Sequence, residues 1–328
     1  MTMNKITSKG SWKRPLICNQ KRPPSHVHHS SGELKYARKI LFMLILLPLT
    51  SCNWNTTIET KNEREVGSGN SECAGNTSDD AVRRRISIVP QFSATTIHAA
   101  YWPVLTQIGK KANLCFELVQ QESIPDFEEA LRNKEADYAF MNPYHQVMFK
   151  KEYKPLLRDS KKLLTGIIVI NRKSTASTLE DLDGAELLLP APNAFAASLL
   201  TRALFDQQGI EIKPRYVKTH QNVYRGVARN TKVAGGGVNK TYTRESKNLQ
   251  AEVMILQETP GHPAHPFSAS KSMPLQETKA IQSLWIEMAK QPEWKTLLEK
   301  VQIPFPMRAD YQRDYAPLAG LGLERFVE

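Results

Sequence analysis

The residues of this 328-residue chain best suited to hold or transform a small molecule lie where strand-like runs end. The clearest is Asn142-Pro143-Tyr144-His145, which follows the apolar run Ala136–Met141. Asn142 suits a helix N-cap and Pro143 the first helical position, where a missing N–H costs nothing. The free amides beyond them form a small anion site aided by the helix dipole. Tyr144 adds a hydroxyl and a ring face. The local alternative is a capped turn carrying a Tyr and a His.

A second stretch, Asn193-Ala194-Phe195-Ala196-Ala197-Ser198, opens the strongest helical pattern in the chain, which Gly209 ends. Asn193 reads as its N-cap, and its first amides could hold an anion with help from Asn193 or Ser198. Equally, Phe195 could be core and Ser198 a hydroxyl bonded to its own backbone. His220, with Gln221 and Asn222 after it, could donate to an oxyanion, act as a general base, or merely cap a helix. Gly235-Gly236-Gly237 lacks the Lys-Ser/Thr of a P-loop and the spacing of a dinucleotide fingerprint. His262 and His265 in GHPAHPF have an H-x-x-H spacing but no further ligands, and the prolines point to a surface loop. No G-x-S-x-G, H-E-x-x-H or paired-carboxylate motif occurs, so the expectation is a non-enzyme without cofactor or metal.

These groups need strands and helices to place them. Apolar spacing predicts strands at 86–89, 114–119 and 137–141, with helices at 96–111 and 126–134 between them. That βαβαβ order implies parallel strands with crossover helices. A second unit follows: strands at 163–170, 185–189, 215–217, 232–238 and 252–256, and helices at 193–208 and 221–229. From about Pro274 the chain reads as mostly helical. Two α/β units with a late return to the first predict two lobes around a cleft. Ligands of open α/β sheets sit beyond the carboxyl ends of the strands. The stretches just after strands, Pro90–Thr96, Asn142–His145, Pro192–Ser198, His220–Tyr224 and Gly235–Lys240, are therefore the candidate site, with Ser93, Thr95, Asn142, Tyr144, Asn193, Ser198, His220 and Gln221 singled out for binding.

The net charge of +11 is misleading. Residues 1–51 hold nine of the 44 Lys and Arg and one of the 33 acids, which leaves the rest at only +3. That body has no footprint for nucleic acid. The basic excess belongs to a leader: Lys35, Arg38 and Lys39 precede the apolar run Ile40–Thr50, too short to span a bilayer but suited to a secretory h-region. Leu49-Thr50-Ser51-Cys52 then resembles a bacterial lipobox, with Cys52 taking the lipid. The functional leader is expected to be 34–51 within 1–51, with initiation nearer Leu34. Residues 52–84 read as a flexible tether. Cys115 reads as a buried small apolar residue, and its pairing with Cys73 is left open.

In order and spacing, VPQFSATTI, DFEEALRNKEADYAFMNPYH, TLEDLDGAELLLPAPNAFAASLLTRALFDQQGI, THQNVYRGVARNTKVAGGGV and YQRDYAPLAGLGLERF resemble the phosphate/phosphite/phosphonate-binding receptors of bacterial ABC importers. The resemblance runs from about Ile86 to Phe326. It implies the two-lobed type II periplasmic-binding (transferrin-like) α/β fold, with mixed, mainly parallel sheets, and two crossing strands about which the lobes close on a small oxyanion. By position Tyr144 matches the binding tyrosine of the first lobe and His220 the histidine of the second. Asn193 to Ser198 occupies the Ser/Thr-rich phosphonate cradle. Here the chain departs from the pattern: Ala194, Phe195, Ala196 and Ala197 replace the hydroxyls, each a lost donor to a charged oxygen worth about 1.5–3 kcal/mol. Where aminoalkylphosphonate binders place an aspartate, this chain has Val233.

The resulting expectation is lobe 1 at 85–170 and 258–328, and lobe 2 at 171–257. The function expected is a monomeric, lipid-anchored solute-binding protein on the periplasmic side of a membrane. It would present a small anionic or polar ligand to an ABC permease in the inner membrane. The alternatives are a sensory or interaction lipoprotein of the same fold and, behind it, an enzyme using His220 and Tyr144 as acid and base.

Overall fold

The computed structural model describes residues 72–328. The first half runs β1 (Ala74–Gly75), β2 (Val82–Ile88), α1 (Ala94–Ala112), β3 (Leu114–Val119), α2 (Ile124–Arg132), β4 (Tyr138–Phe140), α3 (Pro143–Met148) and β5 (Tyr153–Asp159). It continues through β6 (Gly166–Asn171), β7 (Glu186–Leu189), α4 (Leu200–Gln207), β8 (Lys213–Tyr216), α5 (His220–Arg229) and β9 (Val233–Val238). After the short helices α6 (Asn239–Tyr242) and α7 (Lys247–Glu252) come β10 (Val253–Glu258) and β11 (Phe267–Ser270). The chain closes with α8 (Leu275–Met288), α9 (Lys295–Lys300), β12 (Pro306–Arg308) and α10 (Tyr311–Asp314).

Two mixed sheets organise these elements. The first has the order β1-β3-β2-β4-β11-β5-β12 and the second β10-β6-β9-β7-β8. The expected βαβαβ unit is present: β2 lies parallel to both β3 and β4. α1 forms because Ile97, Tyr101, Val104, Leu105 and Ile108 recur at helical spacing and bury one face. Its N-terminus is capped by Ser93 and its end by Asn113 in the left-handed region (φ 56). Strand β11 returns late in sequence and pairs antiparallel with β4 and β5, which puts it in the middle of the first sheet.

In the second sheet β7 runs parallel to β8 and β9, while β6 is antiparallel to β9 and β10. The unbroken apolar run of β6 is explained by burial of both faces. Ile168 and Ile170 pack with Leu187, Leu189 and Phe205 on one side. Ile167 and Val169 pack with Leu188, Val223 and Tyr224 on the other. Glycine in β9 answers a packing need. A Cβ on Gly236 would lie 2.0 Å from the carbonyl oxygen of Ala197, and one on Gly166 would lie 2.2 Å from that of Ala196. The turn before α4 therefore rests directly on the sheet.

Two segments cross between the sheets, residues 160–165 and 259–266. They bridge each other: Leu164 N donates to His262 O (2.8 Å) and His262 N to Leu164 O (3.0 Å).

Several expectations need correction. Residues 72–84, read as tether, include β1, which pairs with β3, and the start of β2. Cys73 is bonded to Cys115, with Cα atoms 5.4 Å apart. Sparse apolar content hid this because the disulfide, rather than burial of a long strand, holds the segment. The strand expected at 163–170, the end of the first-lobe segment, is Gly166–Asn171 and pairs in the second sheet. Strands β5, β11 and β12 had no clear periodic signal. Cys52 and the leader lie outside the described residues, among which no helix is long and apolar enough to cross a membrane.

Candidate functional site

The carboxyl ends of β2, β4, β7 and β9 converge on a small buried pocket. Val89 and Gln91 follow β2, and Asn142 follows β4. Ala194 to Ala197 follow β7, and Val238 ends β9. His220 opens α5, and Leu164 and His265 come from the two crossing segments. The pocket leaves about 10 Å³ for the centres of water-sized molecules, the room of one water. It lies beside an open cleft of about 600 Å³, walled by Gln91, Ser93 and Thr96 on one side and Thr219, Gln221 and Arg244 on the other.

Asn142 works as its sequence suggests. Its side chain accepts from His145 N at 2.7 Å, and its amide donates to Asn193 O at 3.0 Å. His145 is fully buried and completes the capping box; its Nε2 lies 2.8 Å from a Glu128 carboxylate oxygen. That histidine is structural. Asn193 is committed elsewhere, donating to Glu128 (2.9 Å) and to Glu328 O (2.8 Å) and accepting from Glu328 N (3.1 Å). It is not the N-cap expected.

The helix begins instead with a π-helical turn, Phe195–Leu199, whose N-cap position is Ala194. Ser198 N and Leu199 N both reach back to Ala194 O, at 2.7 and 3.3 Å. The N–H groups of residues 195–197 precede these bonds and have no partner within the helix. Ser198 is fully buried with an unpartnered Oγ and does not line the pocket. Tyr144 does not point into the cleft either. Its ring stacks on Phe195, with centroids 6.5 Å apart and planes 1° from parallel, and is 4% exposed. Burial, with Glu324 nearby, raises its hydroxyl pKa.

His220 lines both pocket and cleft, 5% exposed, with an Nδ1 that has no partner. Thr219 holds the helix cap in its place by accepting from Asn222 N at 3.1 Å. Burial lowers the His220 pKa to about 4, so the imidazole is neutral at pH 7. Ser93 and Gln221 are exposed on the cleft walls, and Gln221 Nε2 lies 3.4 Å from Glu245. Thr95 lines a neighbouring 470 Å³ pocket with Arg244 and Lys300.

Two contributors, Gln91 and Lys240, fall in the stretches expected after strands without having been singled out there; His265 and Arg244 were not foreseen. His265, expected on a surface loop, is 3% exposed, stacked on Phe140 (5.4 Å, 15°), and has an unpartnered Nδ1. Its pKa is lowered well below the usual value by burial and by the nearby Lys240, His145 and His220. Gln91 touches its ring. Lys240 and Arg244 have no carboxylate ion-pair partner among the described residues; burial lowers the Lys240 pKa to about 8. Arg244 sits over the Phe92 ring at 4.7 Å. The sequence clue to His265 was Phe267, the first residue of a central strand, only two positions on. Val233 does not face the pocket; it starts β9 and packs with Val227 and Val253, at the far end of the strand from Val238. No Asp or Glu lines the pocket, and no group of metal-ligating side chains occurs among the described residues.

A sequence profile for the phosphonate periplasmic substrate-binding proteins of ABC transporters matches residues 86–315. The chain belongs to that family. Such proteins are substrate-binding components of transporters, not enzymes. No curated protein sequence matches this binding protein. Its fold is shared by a binding protein component of an ABC phosphonate transporter from Pseudomonas aeruginosa, at 12% identity and a TM-score of 0.67 over 75% of this chain and 88% of that one. PhnD1 from Prochlorococcus marinus in complex with methylphosphonate matches at 13% identity and 0.67, over 74% and 98%. A protein from Xanthomonas citri bound to chloride ion matches at 13% and 0.63, over 74% and 98%. The two-lobed type II periplasmic-binding fold is thereby established.

Proposed function

We propose that this binding protein captures a compact oxyanion of the phosphonate, phosphite or phosphate type by closing two lobes, and hands it to an ABC permease. The observation that carries the reading is the make-up of the pocket. His220 and His265 each bring a buried imidazole with an unpartnered Nδ1, residues 195–197 bring amides with no partner within the helix, and no carboxylate lines the pocket. Lys240 and Arg244, neither in an ion pair with a carboxylate among the described residues, add positive charge nearby. A buried donor without an acceptor is costly, and an oxyanion removes that cost. The proposed contacts are the amides of 195–197 and His220, with Ser93 and Gln221 at the cleft mouth; Asn142 lines the pocket while its side chain holds His145 N and Asn193 O. Tyr144, Asn193 and Ser198 act through packing and the supporting network, and Thr95 lies off the path.

The paired crossing segments at Leu164 and His262 supply a hinge for closing the lobes. The lobes are the two sheet-centred bodies, 72–159 with 267–328 and 166–258, joined by the two crossing segments. Cys52 carries the lipid that anchors the monomer on the periplasmic side. Calorimetric titration with phosphite, methylphosphonate and phosphate tests the ligand class: millimolar or tighter binding by one of them is expected, and none by any rejects it. Cys52→Ser should release the protein from the membrane fraction.

A further inference from the structure

We infer that His265, on the segment crossing between the lobes, is a ligand-binding residue that presents an Nδ1–H donor to the oxyanion, its proton placed there by a Gln302–Gln91 relay. The inference rests on the oxyanion reading above. Four observations carry it. Gln302 Nε2 donates to Gln91 Oε1 at 3.2 Å, which turns the Gln91 NH₂ group toward the imidazole. That group contacts His265 Nε2, and an amide NH₂ can only donate. Nε2 is then the acceptor nitrogen, and the neutral ring carries its proton on Nδ1. Nδ1 is buried without a partner, in a ring that lines the pocket.

The ring has little freedom to turn away. Phe140 stacks on one face at 5.4 Å, and the Gln91 contact fixes the edge. A fixed donor aimed at a place where negative charge arrives costs no reorganisation when the ligand binds. It also answers the loss of hydroxyls at Ala194, Ala196 and Ala197: a donor from the crossing segment stands in for donors the cradle lacks. Because 259–266 is one of the two crossings, a ligand held by His265 and His220 touches the hinge and the second lobe together.

The test uses the full-length protein with phosphite and methylphosphonate as probes. His265→Phe keeps the ring stack on Phe140 but has no N–H; Gln302→Asn tolerates the left-handed backbone at this position (φ 67) but is one methylene short of Gln91. Both variants should bind the better probe about ten- to a hundredfold more weakly than wild type, the loss expected for one hydrogen bond to a charged group. Nitrogen-15 NMR of the ligand-free wild type should show His265 protonated at Nδ1, and Gln302→Asn should reduce that population. Wild-type binding with His265→Phe within about twofold would overturn the inference and leave the oxyanion reading standing. A proton found on Nε2 would overturn it whatever the binding result. If wild type binds neither probe nor phosphate, the oxyanion reading falls and this inference with it.

Discussion

Acid should destabilise the ligand-free protein through His220, and the size of the effect follows from its burial. In the unfolded chain the imidazole titrates near 6.5; in the folded protein burial lowers that to about 4. Between these values the unfolded state holds the extra proton, so stability rises with pH across the window and is lost as pH falls from about 6.5 toward 4. The full difference is about 3 kcal/mol, of which about 2 kcal/mol is lost between pH 7 and 4.5. His265, whose pKa is lowered for the same first reason, adds loss of the same sign. Asp314 does not confuse the window. Burial opposes its ionisation, but Arg313 and Arg158 outweigh this and bring it to about 2, so its contribution is lost only below about 3.8. The assay is equilibrium urea unfolding at fixed pH values from 7 to 4.5, on wild type and His220→Gln. The variant should lose about 2 kcal/mol less than wild type over that range. Saturating phosphite should flatten the wild-type curve, because an adjacent anion favours the imidazolium. Parallel pH curves for wild type and variant would refute the reasoning, since His220 would then titrate alike in both states.

Removing the Cys73–Cys115 bond by the double serine substitution should cost about 4 kcal/mol, from the entropy of a loop with a 42-residue separation; calorimetry should show Tm lower by about 10 °C. Gly236→Ala drives a methyl into the Ala197 carbonyl, so it should destabilise by about 1–3 kcal/mol in urea and weaken phosphite binding by displacing the turn at 195–199. Asn142→Ala removes the cap on His145 N and leaves Asn193 O without its donor, for a loss of about 1–3 kcal/mol in urea unfolding.

Much of the architecture could be read along the chain, because it rests on local pattern. Residues 114–119 are a strand as expected, and α1 follows from apolar residues spaced to cover one helix face. Asn142 and Pro143 stop a strand and start a helix by rules that involve only their neighbours. The family was legible too, since several moderate motifs kept their order. The sheet positions of β5, β11 and β12 were not, because short strands paired with residues far along the chain carry little periodic signal.

The chemistry divides in the same way. Sequence alone determined that His220 follows a strand and opens a helix, a place from which a side chain can meet a ligand. Only the tertiary structure decided which other groups it meets. Asn193 looked free and is bonded to Glu128 and the chain end; Tyr144 looked poised and lies against Phe195. His265 looked exposed among prolines, yet its neighbour Phe267 belongs to a strand held between two others, which draws the imidazole into the interior. Residue type and spacing state what a side chain can donate or accept. Whether its partner is solvent, backbone or ligand depends on contacts 51 to 174 residues away along the chain, such as Asn142 with Asn193 and Gln91 with His265.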